Sequence, residues 1–136
     1  MKRQDIRDCA FKIVFESLLR DDTIEELYEI AEEADEITLN DKVREMVDGT
    51  LSHSKEIDEM IQKFSPKRAL ARISKINHAI LRIAFYEIMY DDLTPVNAAI
   101  SEAVHLSEKY SLEKDTIFVN GVLGAYSKSI EKGEEI

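Results

Sequence analysis

The sequence predicts an all-α protein. Apolar residues recur at spacings of three and four along almost the whole chain, and sustained strand-like alternation is hard to find. Only four glycines and two prolines punctuate the 136 residues, whereas an all-β chain needs a turn about every ten residues. An apolar fraction of 44% with 34% charge argues against disorder, and the length supports one domain.

Each element can be read in turn. In the first segment Ile6, Cys9, Ala10, Ile13, Val14 and Ser17 follow helical spacing. Phe11, Phe15, Leu18 and Leu19 add a second apolar face, so this helix should meet neighbours on two sides. Thr23 with Glu26 is a capping-box pattern, opening a second helix that carries Ile24, Leu27, Tyr28, Ala31 and Ala34. Asn40 can cap a third, bearing Val43, Met46, Val47 and Leu51. Ile57, Met60, Ile61 and Phe64 form a fourth stripe up to Ser65-Pro66, a cap followed by proline at a first helical position. Ser74 can cap a long fifth helix with Ile76, Ala79, Ile80, Ile83, Ala84 and Ile88 inward, ended by Asp91-Asp92. Thr94-Pro95 repeats the cap-then-proline signal ahead of Val96, Ala99, Ile100, Ala103, Val104 and Ser107. After a short loop near Ser111, a last helix carries Ile117, Val119, Val122, Leu123, Tyr126 and Ile130. About seven helices result, in one helical domain over residues 1–132 with a tail, 133–136, that should fray.

Charge is unevenly spread. Eighteen Lys+Arg face 28 Asp+Glu, a formal net charge of −10, which taken alone argues against a nucleic-acid binder. Residues 21–41 hold ten acids and no Lys or Arg, either as a solvated helix face or as a docking surface for a basic partner. The reverse holds over residues 63–82, where Lys63, Lys67, Arg68, Arg72, Lys75 and Arg82 are met by no acid. Lys2, Arg3 and Arg7 form a smaller basic group at the start.

Little of the chain is suited to catalysis. One cysteine, Cys9, on an apolar face, excludes a disulfide scaffold and a thiolate cluster, and suits a reducing compartment. No apolar run reaches the roughly 18–20 residues of a membrane span, and the first residues lack a signal peptide's apolar stretch, so a cytoplasmic location is expected. No H-x-x-x-H spacing occurs, and Glu-x-x-His appears once, at Glu102–His105, where a di-iron bundle needs it twice. The glycines are isolated and make no phosphate loop. No metal site, cofactor or enzyme activity is expected. Two features stand apart from packing. Arg82, Glu87 and Glu102 lie amid apolar stripes, which predicts a structural ion pair such as Arg82 with Glu102, or else an interface role. Phe118 and Asn120, beside Lys114 near a helix start, can stack on a base and hydrogen-bond it, or Phe118 can simply be core.

Four blocks together resemble one family. Ile80-Leu81-Arg82-Ile83-Ala84-Phe85-Tyr86-Glu87-Ile88 resembles I-L-R-[IL]-A-x-Y-E-[LI] of the NusB family of bacterial transcription antitermination factors. Ile100-Ser101-Glu102-Ala103-Val104-His105-Leu106 is similar to I-N-E-A-[IV]-E-L, and Phe118-Val119-Asn120-Gly121-Val122-Leu123 matches F-V-N-G-[VI]-L. Arg7-Asp8-Cys9-Ala10 with Val14-Phe15 resembles R-x-x-A-x-x-x-[LV]-[YF] of the first helix. The resemblance implies seven helices in two small packed bundles and no catalysis. It implies a partner, NusE, which is also a small-subunit ribosomal protein, and joint binding of single-stranded boxA RNA. That complex joins an assembly on RNA polymerase that suppresses termination in ribosomal RNA operons.

By position, the resemblance assigns RNA contacts to Lys2, Arg3 and Arg7, with Phe118 and Asn120, and the NusE face to Phe15, Arg72, Asn77 and His78. Family members occur as monomers or homodimers. Here the family's N-terminal arginine cluster is thinned by Asp5 and Asp8, Arg68 stands where a tryptophan is frequent, and Asn77 replaces a common acid. Gly124 replaces the usual Asp after the F-V-N-G block and Ser101 the usual Asn. Each missing phosphate contact should flatten the salt slope of RNA binding by about one unit. A second reading is the NusB-like RNA-binding or protein-interaction domain of a ribosomal RNA methyltransferase-type system, though no Rossmann glycine motif accompanies it.

Overall fold

Capping chemistry starts the helices where the sequence places it. In a computed structural model describing residues 1–133, the order is α1 (Arg3–Leu19), α2 (Ile24–Glu33), α3 (Asp41–Ser52), α4 (Ser54–Lys63), α5 (Lys75–Tyr90), α6 (Val96–Tyr110) and α7 (Glu113–Glu131). Thr23 Oγ1 accepts the Glu26 N–H at 3.2 Å while the Glu26 carboxylate accepts the Thr23 N–H at 2.9 Å. Asn40 Oδ1 caps α3 through the Val43 N–H at 2.9 Å, and Ser74 Oγ caps α5 through the Asn77 N–H at 3.2 Å. The expected frayed tail lies outside the described residues from 134 onward.

Of the two proline signals, Thr94-Pro95 opens a helix at Val96 and Ser65-Pro66 does not. After Ser65-Pro66 the chain makes only turns and one 3₁₀ turn, Leu70–Arg72. The cause is Gln62. Its amide nitrogen donates to the carbonyls of Ser65 and Arg68 at 3.0 and 2.9 Å, and its oxygen accepts the Leu70 N–H at 2.8 Å, holding the segment in a non-helical course. At α6, Pro95 itself is the N-cap, and the Thr94 hydroxyl turns back to donate to Glu87 and Asp91.

α5 is the hub of the fold. It packs against α1, α3, α4, α6 and α7, and Ile80, Leu81, Ile83, Ala84 and Phe85 are buried all round it. α1 packs with α2 and α3 beside it and α6 packs with α7, α4 lies against α5 and α3, and one continuous apolar cluster joins them. α1 uses both its apolar faces, meeting α2, α3 and α5, while Phe11 stacks on Tyr110 of α6 at 4.9 Å. Tyr126 of α7 stacks on Phe85 at 4.7 Å and on Phe64 at 5.1 Å, tying three helices together. Cys9 is packed in the core. Ile117 is the exception to the α7 stripe: it is 67% exposed. No described helix is long and apolar enough to cross a membrane.

α3 and α5 cross closely at Gly49. A Cβ placed there would lie 2.3 Å from Tyr86 Cε1, well inside contact distance. Gly49→Ala should therefore destabilise the fold by about 1–3 kcal/mol, the usual overpacking cost. In a Tyr86→Ala background the same change should become neutral or favourable by up to about 1 kcal/mol, because alanine is the better helix former. Urea unfolding of the single and double variants measures both.

Candidate nucleic-acid and partner interface

The N-terminal basic group divides into buried and exposed members. Arg7 lies on the α1 face turned toward α5 and forms a bidentate pair with Glu87, Nε to Oε1 at 2.7 Å and Nη2 to Oε2 at 2.8 Å. The Arg7 side chain is 6% exposed and that of Glu87 1%. Glu102 Oε2 stands 3.9 Å from Arg7 Nη1 and also accepts a bond from Gln4. Arg3, one turn earlier and partly exposed, bonds Asp91 and reaches Glu87 at 3.4 Å. Lys2 is exposed at the start of the helix.

This corrects two expectations. Arg7, expected to face RNA, is committed to an interior carboxylate, and turning it outward would leave Glu87 buried with only the Thr94 hydroxyl and the long Arg3 contact. The expected Arg82–Glu102 pair does not form. Arg82 and Glu87 are five positions apart, about 140° around the α5 axis, so they serve different neighbours. Arg82 faces α4 and grips Asp58, Nε to Oδ1 at 2.9 Å and Nη2 to Oδ2 at 2.7 Å. His78 Nε2 meets the same Asp58 Oδ1 at 2.7 Å. Burial alone would raise the Asp58 carboxyl, but the bonds from His78 and Arg82 outweigh it and hold it below the usual carboxylate range.

The residues assigned to a protein partner are likewise split. Phe15 is half-buried, stacked on Phe11, and lines a shallow groove with Ala34, Asp35, Glu36 and Ile37. Arg72 is exposed on the 3₁₀ turn. Asn77 is only 1% exposed, and its side-chain N–H donates to Asp115 Oδ1 at 3.0 Å, tying α5 to the first turn of α7. Asn77 and His78 are thus drawn inward, one by Asp115 and the other by Asp58, and offer a partner little surface. The acids of these two internal contacts, Asp58 and Asp115, are sites that the sequence reading missed. The one available signal was an apolar helix carrying polar residues that had to be partnered somewhere.

Phe118 and Asn120 mark a second surface. Phe118 is half-buried, and the Arg68 guanidinium lies over its ring with Cζ 4.3 Å from the centroid. Asn120 and Gly121 are exposed beside it. This surface is remote from Lys2 and Arg3. Arg3 bonds Asp91 just beyond the end of α5, whereas α7 begins beside Asn77 in its first turn. Those anchor points lie about 20 Å apart at 1.5 Å per residue. The chemistry on offer at both places is cationic contact, stacking and amide hydrogen bonding, which suits binding. Among the described residues no group of three or more His, Cys, Asp and Glu is placed to hold a metal ion.

Two outcomes follow. Arg7→Ala should cost about 3 kcal/mol or more in urea unfolding, because it strands the Glu87 carboxylate in the interior, and the double change Arg7→Met with Glu87→Leu should recover most of that loss. Asp58 contributes stability that is complete above the ordinary aspartate value of 3.8 and lost as pH falls through its lower folded value. The urea midpoint of Asp58→Asn should therefore change less between pH 6 and pH 3 than that of the parent chain.

Comparison with known proteins agrees with the architecture. Residues 4–128 match the NusB family. The transcription antitermination protein NusB of Acetivibrio thermocellus is 38% identical over 130 residues, covering 94% of this chain and 90% of that protein. NusB of Bacillus subtilis is 36% identical over 132 residues, covering 97% and 99%. A chain of the crystal structure of antitermination factors NusB and NusE in complex with dsRNA superposes with a TM-score of 0.82 at 29% identity, covering 93% of this chain and 96% of that one. With its helix order, its α5 hub and its near end-to-end match to these relatives, this chain belongs to the NusB family of transcription antitermination proteins.

Proposed function

We propose that this chain is a non-catalytic adaptor that pairs with NusE and, with it, binds single-stranded boxA-type RNA to suppress termination in ribosomal RNA operons. The observation that supports the pairing with NusE and RNA is the near-complete superposition on a chain of the structure of NusB and NusE in complex with dsRNA; the single-stranded boxA element and the ribosomal RNA operons are what the family resemblance implies. The surfaces support it in chemical terms. Lys2 and Asn120 are exposed, Arg3 is exposed though bonded to Asp91, and Phe118 is half-buried beneath the Arg68 guanidinium; these cationic, aromatic and amide groups are of the kinds that contact phosphates and bases. Phe15, with Ile37 beside it, forms an apolar groove rimmed by Glu16, Asp35 and Glu36 against one cation, Lys12, a net anionic edge suited to a basic ribosomal protein, and Arg72 adds an exposed polar contact.

In this reading Arg7, Asn77 and His78 act through others. Arg7 holds the start of α1 against α5 and so sets where Lys2 and Arg3 stand. Asn77 and His78 fix α5 against α7 and α4 behind the partner face. A net charge of −10 weakens the chain's attraction for RNA at low salt, and a basic partner offsets it.

Filter binding of a boxA-type RNA, with and without NusE, measures the idea directly. Adding NusE should tighten RNA binding by about tenfold or more, roughly 1.4 kcal/mol, and a stable complex with NusE should appear on gel filtration. Phe15→Asp should abolish that complex while leaving the melting temperature within a few degrees. Unchanged RNA affinity together with no NusE complex would overturn the reading.

A further inference from the structure

The two arginines at the start of α1 are held in different ways. Arg7 is fixed to Glu87 through two donors inside the protein. Arg3 is held through one nitrogen. Its Nη2 bonds Asp91 and makes longer contacts, each 3.4 Å, to Glu87 Oε2 and Thr94 Oγ1, while the side chain stays 41% exposed.

Asp91 does not depend on Arg3 for its place. It caps the end of α5, and the turn that begins there supplies its own donors. The Leu93 N–H bonds Oδ1 at 3.0 Å and the Thr94 hydroxyl bonds Oδ2 at 2.8 Å. Burial alone would raise the Asp91 carboxyl, but the bonds from Thr94 and Leu93 and the charge of Arg3 outweigh it and hold it below the usual carboxylate range. Asp91 is thus a fixed anion at neutral pH. Glu87, for its part, keeps the Arg7 fork whether or not Arg3 stays. Arg3 is therefore the exchangeable member of the cluster, and its departure strands no buried charge. The cluster as a whole is anionic: two arginines, Arg3 and Arg7, are met by three carboxylates, Glu87, Asp91 and Glu102.

We propose that Asp91 is a built-in competitor for the phosphate that Arg3 would contact, and so sets how tightly the start of α1 holds RNA. In the free chain Asp91 occupies the guanidinium. When a phosphate takes Arg3, Asp91 falls back on its Leu93 and Thr94 bonds. One ion pair replaces another, so Arg3 fixes the position of the strand yet adds little net charge neutralisation. Asp91 could instead aim Arg3 at the phosphate, but a carboxylate in an already anionic cluster repels the ligand it would serve. Competition is the reading the charges favour, and it makes the chain alone a weak binder that needs a partner.

This inference rests on the RNA reading above and adds the residue that regulates one of its contacts. The experiment titrates a boxA-type RNA at two salt concentrations with NusE present, using Asp91→Asn, Asp92→Asn, Arg3→Ala and the double change of Arg3→Ala with Asp91→Asn. Asparagine keeps an acceptor for the Leu93 N–H and removes the charge, so melting temperatures should stay close to that of the parent. Asp91→Asn should tighten binding by about two- to fivefold, the scale of a partly exposed ion pair, and steepen the log–log salt slope by about one unit. Asp92→Asn removes the same charge one residue further on, from an exposed side chain that pairs with no described cation, and should do much less. In the Arg3→Ala background, Asp91→Asn should lose most of its effect.

The outcomes separate the two claims. Equal effects of Asp91→Asn and Asp92→Asn, or an undiminished effect of Asp91→Asn without Arg3, would reduce the result to net charge and overturn the proposal. Weaker binding by Asp91→Asn would make Asp91 a positioning residue and overturn it as well. In each of those cases the parent still binds, so the RNA reading stands. If no RNA binds even with NusE, both claims fall.

Discussion

The bidentate pair between Arg7 and Glu87 sets the frame for the rest of the molecule. α5 is surrounded by helices, so any charge on its inner faces must be matched within the protein. The effective cost of desolvating each ion is several kcal/mol, which is recovered only by near-ideal geometry and by bonds to the remaining lone pairs. Glu87 meets that demand with the Arg7 fork, a hydroxyl from Thr94 and a longer contact from Arg3. Three elements therefore converge on one carboxylate. α1 is held at a particular depth and rotation against α5, and the entry to α6 is drawn in by Thr94. The second pair, Arg82 with Asp58 and His78, does the same work for α4 on another face of α5.

This arrangement has consequences for the surface. Cations recruited to neutralise buried carboxylates are withdrawn from any anionic ligand. At the N-terminal end that withdrawal leaves Lys2 and part of Arg3 facing outward. The connection before α5 has no such obligation. Its acids are absent, its backbone is held by Gln62, and its cations stand beside an aromatic ring. The acidic helix α2 lies on the opposite side of the functional ledger, adjoining the Phe15 groove. A protein with a net charge of −10 can carry locally cationic ground, since charges separated by more than about 8 Å at physiological salt barely sense one another.

How much was legible beforehand depended on the range of the interaction. Thr23 with Glu26, Asn40 with Val43 and Ser74 with Asn77 are contacts three residues apart, and each helix begins where its cap predicts. The main buried stripes of α3 and α4 likewise follow from spacing, whereas α5 is buried beyond its expected stripe, at Leu81 and Phe85, because helices surround it. Local signals failed where a distant or competing group intervened. Pro66 opens no helix because Gln62 claims the carbonyls and N–H that a helix would use, and Thr94 does not cap because Glu87 and Asp91 hold its hydroxyl. The ion pairs were misassigned because the partners are far apart in sequence: Arg82 finds Asp58 across 24 positions and Arg7 finds Glu87 across 80.

By itself, then, the sequence determined the all-α class, the number and order of the helices, the apolar faces, and, through its four motif blocks, the family. Those properties depend on backbone capping, on the 3.6-residue period and on residue identity, all of which are readable along the chain. Only the tertiary structure decided which charged residues are structural and which remain free to bind. A guanidinium is chemically the same at Arg7 and at Arg68. What distinguishes them is whether helix packing brings a buried carboxylate or open solvent to within about 3 Å, hydrogen-bond reach.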